Sequence, residues 1–505
     1  MCLPYSNVSY ILTVMSMPNV DIIQTLRDNQ LFAKWFDVDD SWKAWSVFLK
    51  ALFCIPMDAE EMEIFTEYTG RAEAPNRTKP FKESTLIVGR RGGKSQALAI
   101  IAVYLACFKD WRRYLAPGER GTIMIIAQDR NQAQIIFRYI FALINDTKVL
   151  APLIKSPRKE MLELHNGINI EVHTASLRSV RGYAMVAVLL DEVAFWRDDT
   201  SANPDIEVIR ALKPGMIAIK ESMLLCASSP YARRGVLYQS WYDNYGKEDS
   251  DVLVWKAPTW IMNPTISQGE LDKEFEKDSL SAQAEYGAEF RSDVETFLPI
   301  EALMAVINLG TQEIPPLSET QYRAFVDPSG GSNDSFTLSI AHYDADYDRV
   351  ILDLIREIQP PFNPKSVVSE YAAVIKSYGL TTVTGDRYGG VWPGEQFKDC
   401  GVYYEESLKT KSDIYREFLP IINSKKCELL DHTKLIGQFA ALERRTAWGG
   451  KDSIDHPPRA HDDLANAAAG AVTLAMPRFE GWDDSNIYLG PRLASTTEEF
   501  LTNME

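Results

Sequence analysis

The fold of the first half of this chain is decided by residues 85–95, TLIVGRRGGKS. Four mostly apolar residues predict a buried strand, and a glycine-rich turn joins this strand to a helix that begins near Lys94. The turn and the head of the helix comprise Gly89, Arg90, Arg91, Gly92, Gly93, Lys94 and Ser95. The backbone amides of such a loop, with a helix N-terminus behind them, form a cradle for phosphate oxygens.

Two side chains of this loop have specific expected roles. We expect Lys94 to reach the β- and γ-phosphates of ATP and Ser95 to hold Mg²⁺. The strict pattern has a glycine five residues before Gly93, where this chain has Val88. The alternative is a plain turn between a core strand and a core helix. Few plain turns end in Gly-Lys-Ser, which favours a phosphate site.

A second apolar strand ends in two acids, within residues 186–192, VAVLLDE. Parallel sheets present the carboxyl ends of their strands to ligands. We therefore expect Asp191 to support Mg²⁺ and Glu192 to polarise the attacking water. A chance match is the alternative, because apolar strands followed by acids are common. The phosphate loop upstream favours a nucleotide site.

A third strand ends in residues 227–230, ASSP. Hydroxyl groups beside a phosphate site are able to sense the γ-phosphate and to relay hydrolysis to moving parts. That role is predicted for Ser228 and Ser229. The alternative is an ordinary Ser-Pro turn after a strand.

Three arginines are candidates for stabilising the charge that develops during phosphoryl transfer. Arg90 and Arg91 lie inside the phosphate loop and would act within their own subunit. Arg181 precedes the acidic strand and would reach a neighbouring subunit. For each of them, a surface ion pair is the alternative.

Carboxylates also mark the second half of the chain. Asp327 and Asp386 each follow an apolar strand, and Asp462 and Asp463 open a helix of small residues. Acids from three elements of one sheet are suited to bind two divalent cations, Mg²⁺ or Mn²⁺ rather than zinc, for phosphodiester cleavage. Asp334 is a weaker candidate ligand. The alternative is structural, with acids that start turns or complement a helix dipole.

The order of the predicted elements indicates an α/β protein of several domains. In the first half, apolar runs alternate with helical patterns, which predicts a parallel sheet. The second half begins with three strands and then alternates strands and helices, the order of a ribonuclease-H-like domain. A helical stretch is predicted from about Leu271 to Phe290.

These patterns give a predicted domain organisation. It consists of an N-terminal helical arm at 1–60, a phosphate-loop domain with a small lid subdomain at 61–295, a linker at 296–320, a ribonuclease-H-like nuclease domain at 321–480 and a tail at 481–505. Strands are predicted at 85–88, 122–127, 168–173, 185–190, 223–227, 323–326, 336–342, 350–355 and 381–385.

Composition limits the classes of function. The 505 residues carry a net charge of −17, whereas a protein that grips DNA as a monomer is usually basic. Contact with DNA would need local basic patches or a grip shared among several copies. No run of eighteen apolar residues predicts a membrane span, and the first twenty residues do not resemble a signal peptide. The six scattered cysteines argue against common zinc spacings and disulfides, and favour a reducing cytoplasm.

The order of the motifs resembles the large subunit of tailed-phage terminases. GRRGGKS, LLDE, CASSP and AEYGAEF (284–290) resemble its ATPase half, and DHPPRAHDDLANAAAGA (455–471) resembles its last nuclease motif. The resemblance lies in short islands between residues 79 and 475. It implies an ASCE-type P-loop motor joined to a ribonuclease-H-like nuclease. The phosphate loop of that family also tolerates the missing first glycine.

The resemblance assigns roles position by position. It implies Lys94 and Ser95 as the phosphate-loop pair, Asp191 and Glu192 as the Mg²⁺-binding and catalytic acids, Ser228 or Ser229 as the coupling residue, Arg181 as a finger between subunits, and Asp327, Asp386 and Asp462 or Asp463 as metal ligands. No upstream glutamine matches the adenine-binding residue of the family.

The resemblance also implies cofactors, partners and a place of action. ATP and Mg²⁺ are the implied cofactors, with Mn²⁺ as an alternative at the nuclease site. The implied partners are double-stranded DNA, a small terminase subunit, the portal protein of a procapsid and further copies of this chain in a ring. The implied location is the host cytoplasm, transiently at the portal, without a membrane.

Two other classes of function stay open at this stage. A helicase or repair ATPase with a nuclease domain is the first, although no late arginine-rich motif follows the ASSP strand. A non-catalytic assembly factor is the second, and the intact Lys94 and acidic positions argue against it.

Overall fold

The structure is a computed structural model that describes residues 20–75, 77–175, 182–196, 204–332, 334–386, 392–446, 452–457 and 460–477. Contacts divide the chain into two compact units. The first unit comprises Met1–Leu303 and His432–Asp462, and the second comprises Met304–Asp431 and Asp463–Glu505. Each unit is built on its own α/β sheet.

The helices and strands are numbered along the chain. The α-helices are α1 (Ile22–Arg27), α2 (Lys43–Phe53), α3 (Ala59–Thr69), α4 (Lys94–Phe108), α5 (Arg130–Asn145), α6 (Pro204–Ile217), α7 (Gly235–Asn244), α8 (Thr259–Met262), α9 (Gln268–Lys277), α10 (Ser279–Glu285), α11 (Ile300–Met304), α12 (Pro364–Ser377), α13 (Trp392–Asp399), α14 (Lys411–Asn423), α15 (Thr433–Ala441) and α16 (Asp463–Ala475). The strands are β1 (Glu83–Val88), β2 (Gly121–Ala127), β3 (Ile154–Pro157), β4 (Met161–Leu164), β5 (Ile168–Thr174), β6 (Ala184–Asp191), β7 (Met223–Ser228), β8 (Val252–Ala257), β9 (Val294–Thr296), β10 (Ile307–Asn308), β11 (Tyr322–Asp327), β12 (Phe336–Asp344), β13 (Arg349–Ile358), β14 (Thr382–Gly385), β15 (Tyr403–Glu406), β16 (Cys427–Leu430), β17 (Glu443–Arg445) and β18 (Ser453–Asp455).

The first unit contains an eight-stranded sheet in the order β3-β4-β5-β2-β6-β7-β1-β8. Six strands that are neighbours in this sheet run parallel to one another, in the order β5-β2-β6-β7-β1-β8. Strands β2, β6 and β7 are almost wholly buried, as expected for a parallel sheet that is covered on both faces. Helix α4 is apolar on every side and is buried along most of its length. The parallel sheet predicted for the first half is confirmed.

The sheet order brings the three motif strands together. Strand β7 lies between β1, which leads into the phosphate loop, and β6, which ends at Asp191. Because the three strands are parallel, their carboxyl ends meet at one edge of the sheet, where α/β proteins bind ligands.

The described residues before the first strand, from residue 20 onward, are part of this unit rather than a separate arm. Ile22, Phe32 and Trp45 are fully or almost fully buried in the core that also holds α4. The boundary predicted at residue 60 therefore does not separate two packing units within the described part of the N-terminus. Periodicity alone could not show where the apolar face of α2 would pack.

The second unit contains a seven-stranded sheet in the order β10-β16-β13-β12-β11-β14-β15. Strands β11, β12 and β13 form an antiparallel meander, and β14 and β15 continue it in parallel with β11. Helix α16 covers β11 and β12. This arrangement, three antiparallel strands followed by parallel ones, is the ribonuclease-H-like fold that the element order predicted.

The helical stretch predicted from about Leu271 to Phe290 is divided into two helices that end at Glu285. These helices are α9 and α10, and Asp278 lies between them in an extended conformation. The Asp278 carboxylate accepts a hydrogen bond from the Ser281 backbone amide at 3.0 Å, so it caps the second helix. The helical pattern was read correctly, but the cap was missed.

The observed units also differ from the predicted boundaries in the middle of the chain. The predicted linker at 296–320 contains α11 and β10. Residues 432–462, which fall in the predicted nuclease range, belong to the first unit, where β17 pairs with β9 and β18. The predicted tail at 481–505 lies outside the described residues.

Among the helices that the structure describes, none combines the length and the apolar composition that a membrane span requires.

Candidate nucleotide and metal sites

The phosphate loop is held in shape by close packing around its glycines. Gly93 has a φ of 94° and precedes the first residue of α4. A Cβ atom on Gly89 would lie 2.5 Å from the Tyr286 carbonyl oxygen, so only glycine fits there. The Trp45 indole donates a hydrogen bond of 3.0 Å to the Gly92 carbonyl oxygen. Val88 is fully buried as the last residue of β1, so the turn starts only at Gly89.

Lys94 lies inside this loop with 5% of its surface exposed. Its ammonium group donates to the carbonyl oxygens of Val88 and Gly89, at 3.0 and 3.4 Å. It also lies 3.4 Å from the Glu192 carboxylate. Ser95 follows on the first turn of α4 and lines the same cleft as Lys94, which has a volume of about 970 Å³.

Asp191 is the buried acid of this site. Its side chain is 5% exposed, and one carboxylate oxygen, Oδ1, has no hydrogen-bond partner within the part of the chain that the structure describes. Burial raises the pKa of Asp191 to about 7, with a further contribution from Glu192, while Lys94 opposes the shift. A buried carboxylate oxygen without a partner, facing a phosphate loop, fits a Mg²⁺ ligand.

Glu192 connects the phosphate loop with the serine strand. Its backbone adopts the left-handed region, with φ of 50° and ψ of 43°, which turns the chain sharply after β6. The Glu192 carboxylate accepts hydrogen bonds from the Ser228 hydroxyl at 3.1 Å and from the Ser229 backbone amide at 3.2 Å. Lys94 lies near its other oxygen, so Glu192 joins its own acidic motif to the phosphate loop and to the serine motif.

The arginines occupy different environments. Arg90 pairs with Glu285 of α10 at 2.8 Å, and this contact raises the pKa of Arg90. Arg91 has a φ of 65°, and its carbonyl oxygen accepts a hydrogen bond from the Asn263 side chain at 2.9 Å. Arg181 lies outside the described residues. The finger roles of the three arginines stay predictions.

Two of the acids predicted in the second half converge on one amide group. The Asn466 side-chain nitrogen donates to Asp327 Oδ2 at 2.8 Å and lies 3.5 Å from Asp386 Oδ2. Asn466 is fully buried. Two carboxylates brought together from β11 and the end of β14 suit a hard divalent cation. The residues present therefore fit a Mg²⁺ or Mn²⁺ site.

Asn466 was missed by sequence reasoning. It stands three residues after Asp463 in a motif that had been noted for its acids alone. The signal was available, because residues three apart on a helix share a face. A polar residue within the run ANAAAGA was the cue that this face meets other polar groups.

The last two acids lie in different surroundings. Asp463 is the first residue of α16, and its carboxylate accepts a hydrogen bond from the Ser335 backbone amide at 3.1 Å. Asp462 lies with Asp455 and His456, and the potential ligand atoms of these three residues are all within 4.8 Å of one another.

Asp334, the weaker candidate ligand, accepts a hydrogen bond from the Ser329 hydroxyl through its carbonyl oxygen at 2.6 Å. This contact does not involve the Asp334 carboxylate. Metal binding by Asp334, as by the other acids of the second half, stays a prediction.

Comparison with protein families identifies the first half. The family described as "Uncharacterized protein MJ0330, N-terminal P-loop domain" matches residues 28–288. The chain belongs to this family. The MJ0330 P-loop match covers the eight-stranded sheet and the cleft that contains Lys94, Asp191 and Glu192, so this cleft is the P-loop site of the domain. No curated protein matches the chain.

Several solved structures are similar to this member of the MJ0330 P-loop family. The large terminase of bacteriophage HK97 is 16% identical, with 86% of this chain and 100% of that chain covered and a TM-score of 0.36. The large terminase of a thermophilic bacteriophage, in complex with ADP, is 10% identical, with 79% and 95% covered and a TM-score of 0.35. The terminase nuclease of thermophilic phage G20c with bound magnesium is 16% identical, with 34% and 95% covered and a TM-score of 0.30.

Proposed function

We propose that this chain is the large subunit of a viral terminase, with an ATP-hydrolysing motor in the first unit and a metal-dependent DNA endonuclease in the second. The observation that carries the proposal is the set of contacts made by Glu192. One carboxylate bridges the phosphate-loop Lys94 and the two serines at the end of β7. A plain glycine-rich turn would not need this arrangement.

The proposed ATPase reaction uses each of these groups at a stated place. The loop amides and Lys94 bind the β- and γ-phosphates, with the N-terminus of α4 adding a favourable partial charge. Ser95 and Asp191 would hold Mg²⁺, which neutralises phosphate charge when it is bound. Glu192 polarises the attacking water, and its contact with Lys94 places it at the phosphate end of the cleft.

The serine contacts support a coupling role for the end of β7. Ser228 and Ser229 bind the same Glu192 oxygen, so a change in the position of that carboxylate alters their hydrogen bonds. The chain continues directly from Ser229 to Tyr231, whose hydroxyl donates to the fully buried Glu443 at 2.7 Å. These hydrogen bonds and the short backbone segment between them would therefore transmit a movement at the γ-phosphate to Glu443.

The proposed nuclease site is built on the carboxyl ends of two strands and the start of α16. Asp327, Asp386 and Asp463 would hold divalent cations, Mg²⁺ or Mn²⁺, with Asp462 as the alternative third acid. Such cations supply charge stabilisation and lower the pKa of water in phosphodiester cleavage. Asn466 keeps the Asp327 and Asp386 carboxylates together through its amide nitrogen.

The proposed partners follow from this function and from the charge of the chain. The substrate is double-stranded viral DNA, which is moved into a procapsid and cut from a longer molecule. With a net charge of −17, one copy is unsuited to a strong grip on DNA, so the proposal includes a ring of copies at the portal protein. A small subunit delivers the DNA, and the place of action is the host cytoplasm.

One experiment tests both halves of the proposal on the full-length protein. Phosphate release from ATP and cutting of supercoiled plasmid with Mg²⁺ or Mn²⁺ are measured for wild type, Lys94→Ala and Asp386→Ala. We expect Lys94→Ala to lose ATP hydrolysis and retain cutting, and Asp386→Ala to show the reverse, because the two sites lie in different units. Asp399→Ala, at an exposed acid of the second unit, is the control. Cutting by Asp386→Ala at the wild-type rate would overturn the nuclease assignment.

A further inference from the structure

Gln132 lines the phosphate-loop cleft, as do Lys94 and Glu192. It stands in the first turn of α5, and the Asp129 side chain caps this helix by accepting a hydrogen bond from the Gln132 backbone amide at 3.0 Å. Helix α5 follows β2, which is paired in parallel with β6. The first turn of α5 therefore opens at the same sheet edge as Asp191 and Glu192.

Two cavities meet at Gln132. The first is the phosphate-loop cleft of about 970 Å³, and the second is an adjoining cavity of about 290 Å³. The residues that line both are Arg90, Gln132 and Glu192. These three residues therefore lie where the two cavities adjoin.

Two of these three shared residues, Arg90 and Glu192, already have partners within the protein. Arg90 is paired with Glu285, and Glu192 is bound by Lys94 and the two serines. The Gln132 carboxamide oxygen, Oε1, is buried and has no hydrogen-bond partner among the described residues. A buried amide oxygen without a partner costs free energy, so its retention beside a reactive site points to a ligand that supplies the missing donor.

We propose that Gln132 is a catalytic residue that orients the attacking water together with Glu192, an inference that rests on the proposed ATP hydrolysis. A water molecule between the two side chains donates one hydrogen bond to Gln132 Oε1 and the other to the Glu192 carboxylate. Its lone pair is then directed at the γ-phosphate. The Gln132 amide group remains available to donate to a γ-phosphate oxygen.

The reaction is balanced with the groups at hand. The water oxygen forms a bond to the γ-phosphorus while the bond from that phosphorus to the β,γ-bridging oxygen breaks. The electron pair of the broken bond leaves with ADP. One water proton passes to the Glu192 carboxylate and from there to the released phosphate, so Gln132 itself neither gains nor loses a proton.

This role differs from a structural one in a measurable way. Because Oε1 makes no hydrogen bond within the described chain, its removal leaves no donor unsatisfied and costs the fold little. A structural glutamine would instead lower the melting temperature when removed. The proposed role lowers kcat while the affinity for ADP, which has no γ-phosphate, stays unchanged.

The test compares Gln132→Ala with Gln128→Ala in the full-length protein. Gln128 is the same residue type four residues earlier, in the connection between β2 and α5, and it lines the smaller cavity but not the phosphate-loop cleft. We expect Gln132→Ala to lower kcat for ATP hydrolysis by about 100-fold, the size typical of losing one positioned hydrogen-bonding group at a reacting centre. The KM for ATP, ADP binding and the melting temperature should remain near wild type, and Gln128→Ala should hydrolyse ATP normally.

Each other outcome is decisive. A wild-type kcat in Gln132→Ala, an equal loss in Gln128→Ala, or a loss of kcat that accompanies a fall in melting temperature would each overturn the role of Gln132 while leaving the ATPase proposal in place. If Lys94→Ala hydrolyses ATP at the wild-type rate, the ATPase proposal itself is overturned, and the role of Gln132 is overturned with it.

Discussion

At the scale of single residues, Asp191 and Glu192 show how burial divides the roles of two adjacent carboxylates. Glu192 reaches into the cleft and is held by Lys94 and the two serines. Asp191 lines the same cleft but is only 5% exposed, and burial raises its pKa to about 7. Without a cation, this acid carries a proton through much of the acidic range. A bound divalent cation would restore the ionised form, so ligand and proton compete for one group.

The first prediction concerns the stability of the metal-free protein. When the pKa of an acid is higher in the folded chain than in the unfolded chain, the folded protein loses stability as the pH rises from the unfolded pKa to the folded pKa. For Asp191 this window extends from about 4 in the unfolded chain to about 7 in the folded protein. We expect Asp191→Asn, in the presence of a chelator, to melt at a higher temperature than wild type at pH 8 and to exceed wild type by a smaller margin at pH 5.

Thermal melts at the two pH values decide this prediction. Asp399→Asn is the matched control, since Asp399 is exposed and its replacement should change neither melt. An Asp191→Asn protein that is less stable than wild type at pH 8 would show that the ionised carboxylate has a stabilising partner in the metal-free fold.

The positions of single residues were predictable from sequence only where a motif fixed the backbone. Lys94 follows a turn whose glycines determine its path, and Asp191 ends an apolar strand, so both could be placed before the structure was known. Asn466 and Gln132 could not be placed in this way. Each lies among residues that are far away in sequence, and one sequence does not show which helix faces meet.

At the scale of elements, the position of α16 depends on one glycine. A Cβ atom on Gly470 would lie 2.6 Å from Phe325 Cδ1 and close to two further ring atoms, so helix and strand approach closely only because this side chain is absent. Phe325 lies on β11, two residues before Asp327, and Gly470 lies one turn after Asn466. The same contact therefore sets the spacing of the residues of the proposed metal site.

The second prediction follows from this packing. Gly470→Ala should push α16 away from β11, lower the melting temperature of the second unit and reduce plasmid cutting, at an overpacking cost of about 1–3 kcal/mol. ATP hydrolysis should be unaffected. Gly394→Ala, on a helix of the same unit where the nearest atom is 3.9 Å from the added Cβ, is the control and should be neutral. Normal cutting by Gly470→Ala would show that the sheet yields to the extra methyl group.

The strands were more predictable than their neighbours. Buried apolar runs such as those of β1, β2 and β6 gave nearly the observed bounds, because a strand buried on both faces needs little besides apolar residues. Strand β4, with the alternating burial of an edge region, was missed. The short β17 was missed as well, because it contains two arginines and a glutamate and is defined only by its pairing with β9 and β18.

At the scale of the whole molecule, the chain leaves the second unit and returns to the first between His432 and Asp462. The returning segment is anchored by Glu443, which is fully buried. Its carboxylate accepts a hydrogen bond from Tyr231 at 2.7 Å and forms ion pairs with Arg234 and Arg445. A linear division into two halves could not anticipate this path, since sequence order had assigned the segment to the nuclease.

The final prediction tests to which unit this segment belongs. Glu443→Gln keeps the shape of the side chain but removes its charge, so Arg234 and Arg445 lose their common partner, at a cost of about 1.5–3 kcal/mol for hydrogen bonds to a charged group. We expect faster hydrogen–deuterium exchange in β9 and β17 and no change in β11 or β12. Glu313→Gln, which removes a half-exposed ion pair with Arg356 in the second unit, should be near neutral. Faster exchange in β11 instead of β9 would show that the returning segment belongs with the second unit.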